Sequence, residues 1–380
     1  MKLTTFVDGQ SGMDQIPPSS SLDAHRRLVV MFGAAELVDH PEPIRRLAKL
    51  FPGASFIGCS TSGEIFGTQI MDGTLVVAVA DFSHTLVKAA SAPVTSADDS
   101  VDAGAAIGRS LLGPDLRSVL VLSDGLHVNG SELIRGLNSV LPESVIVTGG
   151  LAGDGDRFQR TWVVKDGTPQ AKFVTAVGFY GDRVLIGHGS KGGWDQFGPE
   201  RVVTKSKGNV VYELDHKPAL ELYKSYLGER AAGLPATGLL FPLSVRVGAS
   251  SDKRLVRTIL AIDEASQSLT FAGDVPQGAY AQLMHANFDR LIQGASDAGS
   301  TICAGRFGAA GDVLAIAISC VGRRLVLGER TEEEIEATVD VLPPRTKQIG
   351  FYSYGELSPY ASGRCDLHNQ TMTLTTISEA

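Results

Sequence analysis

VIVTGGLAGDGDRFQRTWVV, residues 145–164, decides what kind of α/β sheet this chain builds. Its apolar opening reads as a strand, and the glycines at 149, 150, 153 and 155 superficially match the Gly-x-Gly-x-x-Gly of dinucleotide-binding folds. That fingerprint works only where a helix begins at once, so that its N-terminus faces the pyrophosphate. Here Asp156-Arg157-Phe158-Gln159-Arg160-Thr161-Trp162 follows, which reads as a loop running into another strand. The nucleotide reading fails on context. The loop is instead a ligand-facing connector, with Asp154 and Arg157 as its polar candidates.

Upstream, strands and helices alternate: strand 28–34, helix 41–51, strand 54–59, paired strands at 74–81 and 85–92, helix 99–112, strand 118–122, and a helix at 131–141 capped by Asn129 or Ser131. Downstream, 162–164, 171–180 and 184–188 are strands with no helix between them. Helix-separated strands followed by neighbouring ones predict an α/β (α+β) chain of two domains, with mixed β-sheets flanked by helices; an αββα-type sheet sandwich is the alternative. Gly192-Gly193-Trp194 punctuates the chain, so the expected division is a polar lead over 1–26, one domain over 27–192 and a second over 193–380. In the second, strands at 239–247, 255–262 and 268–272 precede a long helix at 279–298. A strand follows at 313–319, then an acidic helix at 332–339 capped by Thr331 and a strand at 348–354. Gly178-Phe179-Tyr180 is echoed by Gly350-Phe351-Tyr352, which is too short a match to argue duplication.

With 380 residues, 43% of them hydrophobic, the chain is long enough for a large core and too apolar to be disordered. A net charge of −8 without any basic run argues against nucleic acid, which needs a positive footprint. The acidic residues of the first 24 positions do not suit a signal peptide, and no apolar run is long enough to span a bilayer. Four scattered cysteines (Cys59, Cys303, Cys320 and Cys365) suit a reducing, cytoplasmic setting, with Cys303 and Cys320 read as packed apolar residues.

Three further stretches carry chemistry. Gly58-Cys59-Ser60-Thr61-Ser62-Gly63-Glu64 lacks the final glycine of a nucleophile elbow in the right place and names no base, so it reads as a tight strand-to-helix turn whose hydroxyls cap backbone donors. Gly187-His188-Gly189 sets an imidazole among glycines, where a flat group could approach the backbone. Two metal-type ligands, Cys365 and His368, are too few for a zinc site. GFYSYGELSPYASGRCDLHNQTMTLT, residues 350–375, crowds tyrosines, Glu356, His368, Asn369 and Gln370 into strand ends and a loop. That is a binding signature without a reaction signature.

The Gly58–Glu64 and Gly149–Gly155 segments resemble FIST proteins. So do Val203-Thr204-Lys205 through Pro218-Ala219-Leu220, and Gly350–Glu356 followed by His368-Asn369-Gln370-Thr371. The resemblance implies a two-part bacterial sensory module for small ligands such as amino acids, and no enzyme. The chain's length is similar to a stand-alone branch that binds haem b, senses nitric oxide and regulates a partner histidine kinase. On that likeness His188 is the first candidate iron ligand and His368 the second. Cys59, Thr61, Glu64, Asp154, Arg157, Trp194, Tyr354, Glu356 and Asn369 are the expected ligand contacts. A homodimer is compatible with this reading, and a hydrolase using Cys59 or Cys365 is the remote alternative.

Overall fold

In the computed structural model, which describes residues 1–9, 24–248, 253–303, 311–360 and 363–380, one supersecondary unit occurs three times. The first runs β1 (Lys2–Val7), β2 (Arg27–Gly33), α1 (Glu42–Leu50), β3 (Ser55–Ser60), β4 (Glu64–Phe66), β5 (Gln69–Met71) and β6 (Leu75–Asp81). The second runs β7 (Leu86–Pro93), α2 (Ser100–Leu111), β8 (Leu116–Ser123), α3 (Gly130–Val140), β9 (Ile146–Leu151), β10 (Val163–Lys165), β11 (Thr168–Gln170) and β12 (Phe173–Tyr180).

The third unit opens with β13 (Val184–Lys191) and is interrupted by an inserted domain. The insertion holds β14 (Asp195–Gln196), β15 (Arg201–Lys207), β16 (Val210–Leu214), β17 (Lys217–Pro218), α4 (Ala219–Leu227), β18 (Leu243–Arg246), β19 (Leu255–Arg257), β20 (Ile259–Asp263), β21 (Ser268–Phe271) and β22 (Tyr280–His285). The unit resumes with α5 (Phe288–Cys303), β23 (Val313–Cys320), α6 (Val321–Leu327), α7 (Thr331–Val339), β24 (Thr346–Ser353), β25 (Gly355–Pro359), β26 (Cys365–His368) and β27 (Met372–Glu379).

In every unit a parallel pair joined through helix (β2–β3, β8–β9, β23–β24) lies beside the unit's antiparallel last and first strands (β6–β1, β12–β7, β27–β13). The hairpin after each parallel pair crosses to a neighbour: β4–β5 joins β24, β10–β11 joins β3, and β25–β26 joins β9. Three six-stranded sheets are thereby tied into a ring.

The strand sequences explain why. Strand β2 is buried throughout because both its faces are covered. Leu28, Val30 and Phe32 meet Leu120 and Leu122 of β8 and Leu314, Ile316 and Ile318 of β23 in one central core. The alternate residues face outward: Val29 and Met31 toward α1, Val119 and Val121 toward α2 and α3, Ala315 and Ala317 toward α5 and α7. Sliding one of these strands by a residue would exchange its two faces, so both cores hold the register. Phe32 and Phe351 stack across the centre with ring centroids 4.7 Å apart. Truncating either ring to alanine costs about 3–5 kcal/mol.

The inserted domain is a nine-stranded sheet with its own core around Val203, Tyr223, Leu243 and Phe271. Its two stems pass side by side. Gly193 lies at φ +85°, where an added Cβ would sit 2.0 Å from the Arg290 carbonyl oxygen, so only glycine fits. Arg323, fully buried and ion-paired with Glu334, donates to the carbonyls of Gly192 and Leu291 and thereby grips both stems.

The architecture is mixed α/β, with mixed sheets flanked by helices, as the strand and helix pattern predicts. The third sheet combines β4, β5 and β13 with strands from beyond the expected 192/193 division. Several local expectations need correction. Residues 2–7 are not a loose lead but β1, paired with β6; residues 10–23 lie outside the described ones. The segments read as a hairpin at 74–81 and 85–92 belong to different sheets. The helix expected over 279–298 is β22 followed by α5, because Ala281, Leu283 and the residues between them alternate at strand spacing. The turn after β3 enters β4, not a helix. Thr331 is the first residue of α7 and Arg330 its cap. Among the described residues no helix is long and apolar enough to cross a membrane. The side chain of Cys303 lies outside the described ones.

Candidate functional site

The ends of β3, β9 and β24 interlock. Ser62 N–H donates to the Tyr352 carbonyl at 2.8 Å, Gly153 N–H to that of Ser60 at 3.1 Å, and Tyr354 N–H to that of Leu151 at 3.2 Å. Just beyond, each unit presents a glycine followed by a buried acid: Gly63-Glu64, Gly153-Asp154 and Gly355-Glu356. Two of these acids are bound alike. Glu64 accepts from the Thr61 hydroxyl and from the Thr74 amide and hydroxyl at 3.0 and 2.8 Å. Glu356 accepts from the Ser353 hydroxyl at 2.8 Å and from the Thr371 amide and hydroxyl at 3.1 and 2.9 Å. Burial raises the Glu64 carboxyl above its ordinary range and pushes Glu356 up to about 8, against the pull of those donors.

Asp154 differs. It accepts from the backbone N–H of Phe158, Gln159 and Arg160, each at 2.9 Å, and from the Tyr354 hydroxyl. Burial pushes its carboxyl up, but these donors outweigh that and hold it below the usual value. The carboxylate thereby shapes the loop that carries Phe158, whose ring stacks on Tyr354 at 4.5 Å.

Two cavities flank this junction. One, of about 460 Å³, is charged: Thr61, Glu64, Asp154 and Arg157 line it together with Glu36, Asp72 and Arg324. Its guanidiniums are engaged, Arg157 with Glu36 and Arg324 with Asp72. The other, a cleft of about 300 Å³, lies between the ring and the inserted domain. Leu126, Val128, Asn129, Leu151, Phe158, Gly322 and Tyr354 form one wall; Asn209, Thr258, Leu260, Phe271 and Gly273 form the other. Among the described residues, no side chain that lines it is charged. The Thr258 hydroxyl is buried without a hydrogen-bond partner.

The expected ligand residues thus divide. Thr61, Glu64, Asp154 and Arg157 share the charged cavity, and Tyr354 faces the cleft. Cys59 is packed in the central core, and burial pushes its thiol far up, as it does the Cys365 thiol. Trp194 is buried at the stem of the insertion, its indole N–H donating to the Gln370 carbonyl at 2.9 Å. Glu356, His368 and Asn369 are buried behind the junction, and neither amide atom of Asn369 has a partner. His368 shares a 2.9 Å hydrogen bond with the Ser358 carbonyl, and burial pulls its imidazole down to about 4. His188 stands in β13 opposite Thr375, half-buried and likewise lowered by burial. Neither imidazole lines the cleft or the charged cavity, so the residues there do not offer a histidine to haem iron. Among the described residues no group of three His, Cys, Asp or Glu is placed to hold a metal.

Sequence reasoning missed Phe158, Thr258 and Leu260. Phe158 had a signal, being a large apolar residue in a glycine-rich loop; Thr258 and Leu260 had none, because the cleft exists only once the insertion packs on the ring.

A family model described as the FIST N domain matches residues 27–217, and one described as the FIST C domain matches 219–359. No curated protein matches the chain. Among solved structures, the crystal structure of a cyanuric acid hydrolase from A. caulinodans is similar with a TM-score of 0.37 and 9% identity, covering 100% of this chain and 98% of that one.

Proposed function

Because the chain belongs to the FIST family and carries its N and C domains in tandem, we propose that it is a sensor which binds its small ligand in the uncharged cleft. FIST domains are small-ligand sensing modules of signalling proteins, and the family assignment carries the class of function. The cleft carries the location: it is concave, mostly apolar, walled by two structural units and provided with few polar groups, as ligand sites between domains are. A ligand touching both walls favours the arrangement in which they are close. That differential affinity is the coupling a sensor needs.

Occupancy rather than turnover is the output in this reading. The buried thiols of Cys59 and Cys365 are held protonated by burial, which disfavours the hydrolase. The haem b and nitric-oxide version, with a histidine kinase as partner, rests on the resemblance to the stand-alone branch alone. We place it second because neither His188 nor His368 reaches the cleft. A Soret band on haem addition, lost in His188→Ala, would reverse that order.

The test is a thermal-shift screen of the full chain with amino acids and neutral ring compounds. A true ligand raises Tm progressively with concentration. Leu260→Trp, placed at the partly exposed mouth of the cleft, should abolish the shift. A screen without any shift, or a shift undiminished in Leu260→Trp, overturns the assignment of the cleft.

A further inference from the structure

The wall of the cleft restricts what can enter it. With no charged side chain among the described residues that line it, an ionised ligand would lose hydration without gaining a counter-charge. Free amino acids, carboxylates and phosphates are disfavoured on that ground. What the wall does offer is flat and apolar. Phe158 and Tyr354 stack with their planes 14° apart, and Leu126, Leu151 and Phe271 complete the surface.

Phe158 is unusual in two ways. It is 46% exposed although large and apolar, and it is held at φ +53°, a left-handed conformation that bulky residues avoid. The Asp154 carboxylate, through its bond to the Phe158 N–H, keeps it there. Strain of this kind gathers at sites that contact ligands.

Two buried polar groups at the cleft lack partners. Thr258, 2% exposed, brings an unpaired hydroxyl from the inserted domain. Gln370, fully buried, packs behind the cleft residue Gly322 and donates its Nε2 to the carbonyl of the cleft residue Leu239 at 3.3 Å; its Oε1 has no partner. A ligand group that donates a hydrogen to such an oxygen recovers an interaction that the protein leaves unmade.

Resting on the sensor reading of the cleft, we propose that its ligand is an uncharged, flat ring compound bearing an N–H or O–H donor. The ring lies against the Phe158–Tyr354 pair and the donor bonds to the Thr258 hydroxyl. Indole is a probe of this class.

Calorimetric titration of the full chain with indole, indene and L-tryptophan tests it. Indole should bind, indene (the same shape without the N–H) more weakly, and zwitterionic L-tryptophan not measurably. Thr258→Val, which keeps the shape, should weaken indole about tenfold and leave indene unchanged. Its Tm without ligand should not fall, because the hydroxyl it removes has no partner. Thr258→Ser should restore indole binding. Equal affinity for indole and indene, or no effect of Thr258→Val, overturns the proposal. If L-tryptophan or another ion binds and Leu260→Trp blocks it, the sensor reading survives and the ligand class falls. If none of the three binds, the ligand class falls, and the sensor reading falls with it only when the wider thermal-shift screen is also silent.

Discussion

Asp154 and Glu356 stand at the same point of two repeated units, yet their protons behave oppositely. Both follow a glycine at the end of a parallel pair, and both are fully buried. Asp154 meets three backbone N–H groups and a phenol, and stays ionised. Glu356 meets one N–H and two hydroxyls, and burial keeps it protonated to about 8. Position in the fold therefore does not set the charge; the count of fixed donors against the loss of water does. The ionised acid organises the loop beside the cleft. The neutral one, with its donors from the strand end and the last turn, holds the ring closed.

The largest expected effect separates these two acids by pH. A carboxyl raised to about 8 keeps its proton in the fold after the unfolded chain has released it near 4.3. Its contribution is thus full below about pH 4, falls as pH rises, and levels off above 8, a swing on the order of a few kcal/mol. Glu356→Gln should remove that slope in urea unfolding between pH 7 and 8. His368, lowered to about 4, adds its own loss of stability only as pH falls below about 6.5, outside that window. A slope unchanged by Glu356→Gln would break the comparison.

Next in size, Asp154→Asn should cost about 2 kcal/mol at neutral pH, the scale of hydrogen bonds to a charge. The sign is opposite to that of Glu356. An acid lowered from 3.8 contributes above that value and loses its contribution as pH falls through the folded one, so wild type and variant should converge in acid. Hydrogen exchange at the Phe158, Gln159 and Arg160 amides should quicken in the same variant.

Tyr354→Phe removes one of the four donors and should cost about 1 kcal/mol. It should also raise the Asp154 pKa, moving the acid limb of the stability profile upward; an unmoved limb would show the phenol to be a bystander.

Smallest of all, Arg157→Ala in the charged cavity breaks an exposed ion pair with Glu36 and a 2.6 Å hydrogen bond from Nε to the Asp154 carbonyl, and should cost about 1 kcal/mol. A larger loss would mean that this cavity, not the cleft, shapes the junction.

Much of the ring was legible locally. The apolar runs at 28–34, 118–122 and 313–319 correspond to the central strands, and the cap at Asn129 is real, its side chain accepting from Ser131 and Glu132 N–H. The glycine-rich segment at 149–155 does run on without a helix, although its first three residues belong to β9. The repeat was not legible. Its three copies share strand order and one buried acid but little sequence, and the Gly-Phe-Tyr echo joins β12 to β24, strands that are not equivalent. Segments 74–81 and 85–92 look like a hairpin because two strand-like runs stand on either side of a short turn, and only their neighbours decide that they do not pair.

What the residues alone determined was where the central strands and most of the helices beside them form and which segments are glycine-rich, since periodicity and backbone freedom act over a few positions. What only the tertiary structure decided was which strand lies beside which, whether Asp154 or Glu356 keeps its proton, and that Thr258 and Tyr354 line one cleft. Strand order and the cleft bring together segments distant in sequence, and the two acids, although most of their donors lie nearby in sequence, lose their water only when the three sheets pack around one core.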